Sequence, residues 1–192
     1  ISVSALVCQT EIVIGARVDP QSAEVQMQDG QDSAALRLWT GAVLVEWLDY
    51  NGHMTEHRYL QVFGESSDGL YRRIGVDFDN ARDGAYYTLS THIWHRAECR
   101  VGTKLWSETE ILGYDDRFVH LFHRLYDADG KLLAEGEHLA IHVRQGKSAP
   151  AGTGMLDRVA GIFAAQVGLP VPAEAGKVLK RSLANSRLPV AG

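Results

Sequence analysis

A short stretch of the sequence, residues 45–60, concentrates the side chains that could do chemistry. Asp49, Asn51 and His53 lie in a turn that leads into a predicted helix. The first turn of a helix carries unpaired backbone amides and a partial positive charge, which suit a carbonyl oxygen that gains negative charge. A carboxylate beside those amides could attack the carbonyl or activate a water. The same residue types also form ordinary helix caps, so both interpretations stay open at this point.

The surrounding pattern predicts an antiparallel sheet with one long helix. The spacing of Leu60, Phe63, Leu70 and Ile74 predicts a helix over residues 53–74 that ends before Gly75. Short turns favour antiparallel neighbours among the later strands. Because a sheet with one buried face needs a second layer, we expect the helix to pack on it. Strands are predicted at residues 36–45, 86–98, 104–112, 117–126 and 132–143.

The order of these elements resembles a known family. A strand, the string D-Y-N-G-H-M, one long helix and four antiparallel strands resemble the hot-dog fold acyl-CoA thioesterases of the 4-hydroxybenzoyl-CoA thioesterase type. In that type an Asp stands three residues before the Gly that opens the central helix, as Asp49 stands before Gly52. The resemblance covers residues 36–144. It implies an α+β hot-dog fold, an antiparallel sheet wrapped around one long central helix.

The match to the family motif has one departure. Many relatives read G-H-[VM]-N-N-x-x-Y, and here the glycine, histidine, methionine and tyrosine are present. Thr55 and Glu56 replace the two Asn residues. The longer string of residues 45–77 resembles the betainyl-CoA thioesterases of carnitine breakdown, which also occur fused behind a carnitine dehydrogenase. This resemblance implies hydrolysis of a short acyl-CoA, with betainyl-CoA giving betaine and coenzyme A.

The resemblance implies a role for each residue of the turn. Asp49 would be the nucleophile or general base, and the backbone amides around Gly52 and His53 would polarise the thioester carbonyl. Asn51 would orient a water or the carboxylate, and the His53 side chain would brace the loop. Some hot-dog thioesterases use a carboxylate further along the helix, and Glu65 is the alternative catalytic carboxylate here.

Aromatic side chains cluster around the predicted site. Rings in strands are more often core residues, but ring faces also bind quaternary ammonium groups by cation–π attraction. A permanent cation cannot lose its charge on burial, so its pocket must offer ring faces or carboxylates. We therefore expect a set of substrate-binding residues made of Trp47, Tyr50, Glu56, Tyr59, Tyr87 and Trp94. Arginines such as Arg96 and Arg100 could meet the phosphates of coenzyme A or form a solvated basic edge.

Composition restricts the class of protein. The 192 residues are 45% hydrophobic and 22% charged, which is typical of a globular domain. The net charge of −5 argues against a nucleic-acid partner, and no apolar run reaches the roughly 18–20 residues of a membrane span. We expect Cys8 and Cys99 to be free thiols in the cytoplasm, and we do not interpret residues 1–7 as a signal peptide.

The expected organisation has three parts. Residues 1–35 form an N-terminal extension of unassigned structure, with a strand pair predicted within residues 3–14 and 23–27. Residues 36–144 form the hot-dog domain, and residues 145–192 a linker and a C-terminal helical extension, with helices at 155–167 and 173–183. Because the chain starts at Ile1 rather than methionine, we expect it to be trimmed or part of a longer product.

No cofactor or metal is expected. The pairs His92/His95 and His120/His123 stand three residues apart in predicted strands, so the side chains of each pair point to opposite faces. The expected partners are the acyl-CoA substrate and a second copy of the chain, because hot-dog sheets usually pair into a dimer. The active site would then lie at the subunit boundary, with a contribution from residues 86–98 of the second copy.

Two alternative functions remain. Hot-dog enoyl-CoA hydratases carry the motif D-x-N-P-x-H, which Asp49 and Asn51 begin but from which Gly52 departs. A non-catalytic acyl-CoA-binding domain is the second alternative, and the retained Asp49 argues against it.

Overall fold

The computed structural model describes residues 35–188. The elements are β1 (Leu36–Ala42), α1 (Glu56–Arg73), β2 (Ala85–His95), β3 (Lys104–Tyr114), β4 (Phe118–Asp127), β5 (Leu132–Arg144), β6 (Lys147–Ser148), α2 (Thr153–Gln166) and β7 (Asn185–Ser186), with 3₁₀ turns at Val45–Trp47 and Ala81–Asp83. The main sheet is antiparallel, in the order β1-β3-β4-β5-β2. The strand pair predicted in residues 3–14 and 23–27, and Cys8, lie outside the described residues.

Helix α1 buries one continuous face against this sheet. The buried positions recur at intervals of three and one, which keeps them on one side of a 3.6-residue helix, and they are Tyr59, Val62, Phe63, Ser66, Ser67, Leu70 and Tyr71. The small residues allow a close approach, since the Ser66 hydroxyl lies 2.7 Å from the Ser107 hydroxyl of β3. The predicted arrangement of one long helix on an antiparallel sheet is therefore observed.

The helix begins later than predicted. Our prediction began at His53, whereas α1 begins at Glu56. The amide of Met54 donates to the carbonyl of Cys99 at 2.9 Å. This amide therefore bonds to a residue 45 positions along the chain and not to a carbonyl of the preceding helical turn. Gly52 has a φ of 77°, which a right-handed helix does not contain. Residues 49–55 therefore form a loop between β1 and α1.

The C-terminal region contains one helix, not two. The predicted helix at residues 155–167 corresponds to α2. The second helix, predicted at residues 173–183, is wrong, because these residues form turns and irregular chain. Gly176 has a φ of 75°, and its amide donates to the Glu137 carboxylate of β5 at 2.7 Å. The C-terminal segment, residues 167–188, therefore gains its stability from contacts with the sheet.

Buried charges fasten the C-terminal segment to the sheet. Arg187 donates from Nη1 to Glu110 on β3 at 2.8 Å, and both side chains are only 3% exposed. The other Arg187 nitrogen, Nη2, donates to the Leu169 carbonyl at 3.0 Å. Arg124 on β4 donates to the second oxygen of Glu110. Among residues 35–188 no helix is long and apolar enough to cross a membrane.

We expect Arg187→Ala to lower the free energy of unfolding by about 3 kcal/mol, because it leaves the buried Glu110 with one cationic partner instead of two. Chemical denaturation followed by circular dichroism measures this. Arg181→Ala is the control on the same segment: Arg181 is exposed and lies over the Phe118 ring at 3.4 Å, so its loss should cost only about 0.5–1 kcal/mol. Equal effects of the two substitutions would contradict a fastening role for the buried pair.

Candidate active site

A pocket of about 590 Å³ lies where the loop before α1 meets the end of β2. The loop and the first turn of α1 supply one wall, which includes Asp49, Asn51 and His53. The opposite wall consists of residues 95–98. The structure thus brings together the three polar residues of the motif, and it places residues 95–98 of the same chain opposite them.

Asp49 holds the loop in shape with its carboxylate. Oδ1 accepts hydrogen bonds from the amide of Asn51 at 2.8 Å and from the amide of His53 at 3.1 Å. The Asp49 amide donates in turn to the His53 carbonyl at 2.8 Å. The hydrogen bond from the His53 amide is the main cause of a lowered pKa of Asp49, with a smaller contribution from the Asn51 amide. The carboxylate is therefore ionised at neutral pH.

The free amides at the helix end are not those that the sequence predicted. The Gly52 amide donates to the Asp49 carbonyl at 3.1 Å, and the His53 amide is bound to Oδ1. Because α1 begins at Glu56, its first unpaired amides belong to Glu56 and His57. Neither amide has an acceptor within the described part of the chain, and both residues line the pocket. This makes them the stronger candidates for binding a carbonyl oxygen.

The end of the helix also lacks a side-chain cap. Thr55 stands at the N-cap position, but its hydroxyl makes no capping hydrogen bond. The hydroxyl oxygen is buried and has no partner among residues 35–188. No capping side chain within residues 35–188 offsets the partial positive charge of the helix end, and this charge therefore faces the pocket.

The two walls of the pocket are joined by polar contacts. His53 Nε2 lies 3.3 Å from the Glu98 carboxylate, a contact between the loop and the end of β2. The Tyr59 hydroxyl donates to the Ala97 carbonyl at 3.3 Å, and the Tyr59 ring meets the edge of the His95 ring at 4.8 Å between centroids. Burial raises the pKa of Tyr59, so the phenol stays protonated.

From the sequence, residues 86–98 are expected at the site as a contribution from a second copy of the chain. The structure shows residues 95–98 in the same pocket as the Asp49 loop of their own chain. The hydrogen bond from the Met54 amide to the Cys99 carbonyl brings the end of β2 beside the loop and so places these residues in the pocket. That contact joins residues 45 positions apart, and nothing in the local pattern indicates it.

The predicted substrate-binding rings do not all lie in this pocket. Tyr59 and the carboxylate residue Glu56 line it. Trp47 is buried, stacks on Trp39 at 6.5 Å and has the Arg58 guanidinium 5.4 Å from its ring. Its faces are therefore occupied by the protein.

Three more of these residues lie outside the pocket. Tyr50 is 97% exposed on the loop. Tyr87 and Trp94 lie on β2, where Trp94 packs against His92 at 4.4 Å. Their contacts with substrate stay predictions.

The alternative carboxylate, Glu65, lies deeper along α1 and has structural partners. Its Oε2 accepts from the Trp39 indole at 2.5 Å and its Oε1 from the Gln61 amide at 2.8 Å. Glu65 does not line the pocket, so the geometry favours Asp49. No group of three or more potential metal ligands lies together in residues 35–188.

The comparisons with known proteins agree on one family. Residues 43–174 match the model of the thioesterase-like superfamily. The chain is 42% identical over 149 residues to the L-carnitine dehydrogenase/betainyl-CoA thioesterase of Rhizobium meliloti (strain 1021), covering 76% of the chain and 30% of that relative's length. It is 36% identical over 152 residues to the betainyl-CoA thioesterase of Pseudomonas aeruginosa, covering 77% of the chain and 96% of the relative.

Solved structures show the same architecture. A Pseudomonas putida KT2440 protein described as a candidate thioesterase superposes with a TM-score of 0.69 at 33% identity, covering 80% of this chain and 99% of that one. A Staphylococcus aureus protein in complex with CoA superposes with a TM-score of 0.70 at 20% identity, covering 80% and 100%. The predicted hot-dog fold is confirmed.

We expect the Asp49 carboxyl group to titrate below the ordinary value of about 3.9, because amide hydrogen bonds stabilise its ionised form. A carbon-13 NMR titration measures this, and the Asp49→Asn variant identifies the resonance. Since the folded-state pKa is lower than the unfolded one, the carboxylate stabilises the fold above the unfolded pKa, and this contribution is lost as the pH falls through the folded pKa. An inflection at or above the ordinary value would contradict the observed loop geometry.

Proposed function

The chain belongs to the thioesterase-like superfamily, and from this premise we propose that it hydrolyses a short acyl-CoA thioester, with betainyl-CoA as its substrate. The observation that supports the reaction is the meeting of an ionised Asp49 with the free amides of the α1 N-terminus in one pocket. The observation that supports the substrate is similarity to relatives named betainyl-CoA thioesterase. The chain spans only 30% of the length of the first of these relatives, so the proposal concerns this domain.

In the proposed reaction, the thioester carbonyl lies over the first turn of α1. The amides of Glu56 and His57 donate to its oxygen and stabilise the negative charge that develops there. Asp49 acts in one of two ways. It attacks the carbonyl carbon and forms an anhydride that water then hydrolyses, or it takes a proton from the water that attacks. In both routes the carbon–sulfur bond breaks, and coenzyme A leaves as a thiolate that gains a proton.

The other loop residues position this carboxylate. The amides of Asn51 and His53 keep Asp49 ionised and oriented, and the contact of His53 with Glu98 fixes the loop against the end of β2. A Cβ placed on Gly52 would lie 3.9 Å from Nη1 of Arg100, so that guanidinium stands beside the loop. Arg100 is therefore the cation we expect to meet a phosphate of coenzyme A.

The substrate proposal rests on the chemistry of the pocket wall. A trimethylammonium group keeps its charge at every pH and needs ring faces or carboxylates in place of water. The pocket offers the Tyr59 ring and the carboxylates of Glu56 and Glu98. Trp47 is not part of this cation site, because Trp39 and Arg58 occupy its faces. We place the reaction in the cytoplasm, where acyl-CoA substrates are formed.

We also propose that the domain works as a dimer built on β2. Within the described residues β2 pairs on one side only, with β5, so its other edge is open to a second strand. Tyr87 and Leu89 on this strand are 58% and 52% exposed. Because residues 95–98 at the end of β2 line the pocket, a second copy seated on β2 would lie beside the active site.

A thiol-release assay over a panel of acyl-CoA substrates tests the function. We expect kcat/KM to be higher for betainyl-CoA than for its uncharged isostere, 3,3-dimethylbutanoyl-CoA. Asp49→Asn should lower turnover by at least about 10²-fold, the usual scale for a lost acid–base or nucleophilic group. Glu65→Gln keeps an oxygen for the Trp39 indole, and it should stay within a few-fold of the parent protein.

Each alternative has its own outcome in this assay. A loss with Glu65→Gln but not with Asp49→Asn would move the chemistry to the helix carboxylate. Hydration of an enoyl-CoA without thiol release would identify a hydratase, and binding without turnover a non-catalytic domain.

Sedimentation velocity at micromolar concentration should give the mass of a dimer or of a larger assembly. Leu89→Lys should shift the protein towards monomer, because it places a charge on the open edge of β2. Val171→Lys changes a residue of 41% exposure in the C-terminal segment and should leave the mass unchanged. A monomeric parent protein would contradict the dimer proposal.

A further inference from the structure

Arg96 is the only Lys or Arg that lines the pocket in the described part of the chain. Three carboxylates line the same pocket, on Asp49, Glu56 and Glu98. A guanidinium on the pocket wall is unfavourable for a cationic acyl group, because two positive charges repel each other. The partners of Arg96 therefore decide the charge that a substrate meets.

Arg96 is held by two carboxylates from outside the pocket. Its Nε and Nη2 donate to Glu135 on β5 at 2.9 and 2.7 Å. Its Nη2 also donates to Glu174 at 2.9 Å. The side chain of Arg96 is 34% exposed, and those of Glu135 and Glu174 are 11% and 22% exposed. Both pairs are thus partly withdrawn from solvent, where ion pairs are screened less than at the open surface.

Glu174 comes from the C-terminal segment, which is far from the pocket in sequence. The segment is fixed to the sheet close to this residue, because the Gly176 amide donates to Glu137 at 2.7 Å. Glu174 also accepts from the Lys177 ammonium at 3.0 Å. The hydrogen bonds from Lys177 and Arg96 lower the pKa of Glu174, so it is charged at neutral pH. The structure therefore places a fixed negative charge behind the pocket wall.

We propose that Glu174 is a positioning residue that sets the charge preference of the pocket: it holds the Arg96 guanidinium against the C-terminal segment and offsets its charge. This inference rests on the proposed function, since it explains how a pocket with an arginine in its wall accepts a trimethylammonium group. With Arg96 held by Glu135 and Glu174, the carboxylates of Glu56 and Glu98 dominate the potential inside. The C-terminal segment is then part of the specificity of the site although it does not touch the substrate.

Two other roles of these residues predict different kinetic results. If Arg96 bound a phosphate of coenzyme A, its release from Glu174 would change KM for every acyl-CoA by the same factor. If Glu174 only stabilised the fold, its loss would change the rate for every acyl-CoA equally. A charge preference is separated from both by the ratio of kcat/KM for betainyl-CoA to that for 3,3-dimethylbutanoyl-CoA, which have the same shape and the same coenzyme A.

We expect Glu174→Gln to lower this ratio by about three- to ten-fold, the scale of removing one of the two carboxylates that offset Arg96 at a partly screened site. The loss should come from betainyl-CoA alone. Lys177→Gln is the matched control, because it removes the other cationic partner of Glu174 and leaves the contact with Arg96 intact. That variant should keep the ratio of the parent protein. The double variant Glu174→Gln/Arg96→Gln should recover the ratio, because the guanidinium that has lost one of its two carboxylate partners is then absent.

The outcomes separate this inference from the proposed function. A high ratio in the parent protein that Glu174→Gln leaves unchanged would overturn the role of Glu174 and keep the substrate. A double variant with a ratio as low as that of Glu174→Gln would also overturn it, since the effect would not pass through Arg96. A ratio near one in the parent protein would overturn both the betainyl-CoA substrate and the role of Glu174. The rate of thiol release from the uncharged substrate would then show whether the protein is a thioesterase.

Discussion

The burial of one face of α1 in the sheet is the interaction on which the rest of the structure depends. Val62, Phe63 and Leu70 have no exposed surface, and each side chain of this kind contributes about 1.5–3 kcal/mol when it leaves water. This packing fixes the direction of the helix, and Tyr59 in its first turns is tied to the Ala97 carbonyl. The free amides of the helix end are therefore delivered to one place, beside residues 95–98. The position of the site therefore depends on the packing of the core.

Both faces of the sheet bury polar side chains, and the partners of these side chains differ between the two faces. Towards α1, His123 contacts the hydroxyls of Ser67 and Thr109, both at 3.0 Å, and desolvation holds its pKa well below the usual value. This histidine is neutral and serves as a hydrogen-bonding member of the core. On the opposite face, Glu110 and Glu137 are covered by the C-terminal segment, which supplies a guanidinium and an amide as partners. Buried polar groups are costly when unpaired, so this face of the sheet and this segment require each other.

Regular elements could be predicted from the sequence, and the junctions between them could not. The spacing of Phe63, Leu70 and Ile74 indicates a helix face, and all three are buried, whereas Leu60, the fourth residue of the predicted pattern, is 45% exposed. The helix and the long strands could therefore be predicted. The helix start was misplaced because the Met54 amide bonds to Cys99, which no local pattern encodes. Asp49 is a candidate from the sequence because its spacing to Gly52 is local and matches the family motif. The substrate-binding rings are harder to predict from the sequence, because a tryptophan that packs in the core and one that faces a ligand have the same sequence pattern.

The proposed reaction and the charge preference of the pocket depend on different parts of the structure. In the proposed reaction the chemistry depends on the Asp49 loop and the first amides of α1. Hydrogen bonds within the loop and contacts with the end of β2 hold this geometry. The charge that a substrate meets depends on distant parts, because Arg96 on the pocket wall takes its partners from β5 and from the C-terminal segment. On the proposed roles, a change at Glu135 or Glu174 alters the potential of the pocket and leaves the Asp49 loop and the first amides of α1 in place. A domain built in this way can change its acyl group while it keeps its chemistry, because the two properties rest on different hydrogen bonds.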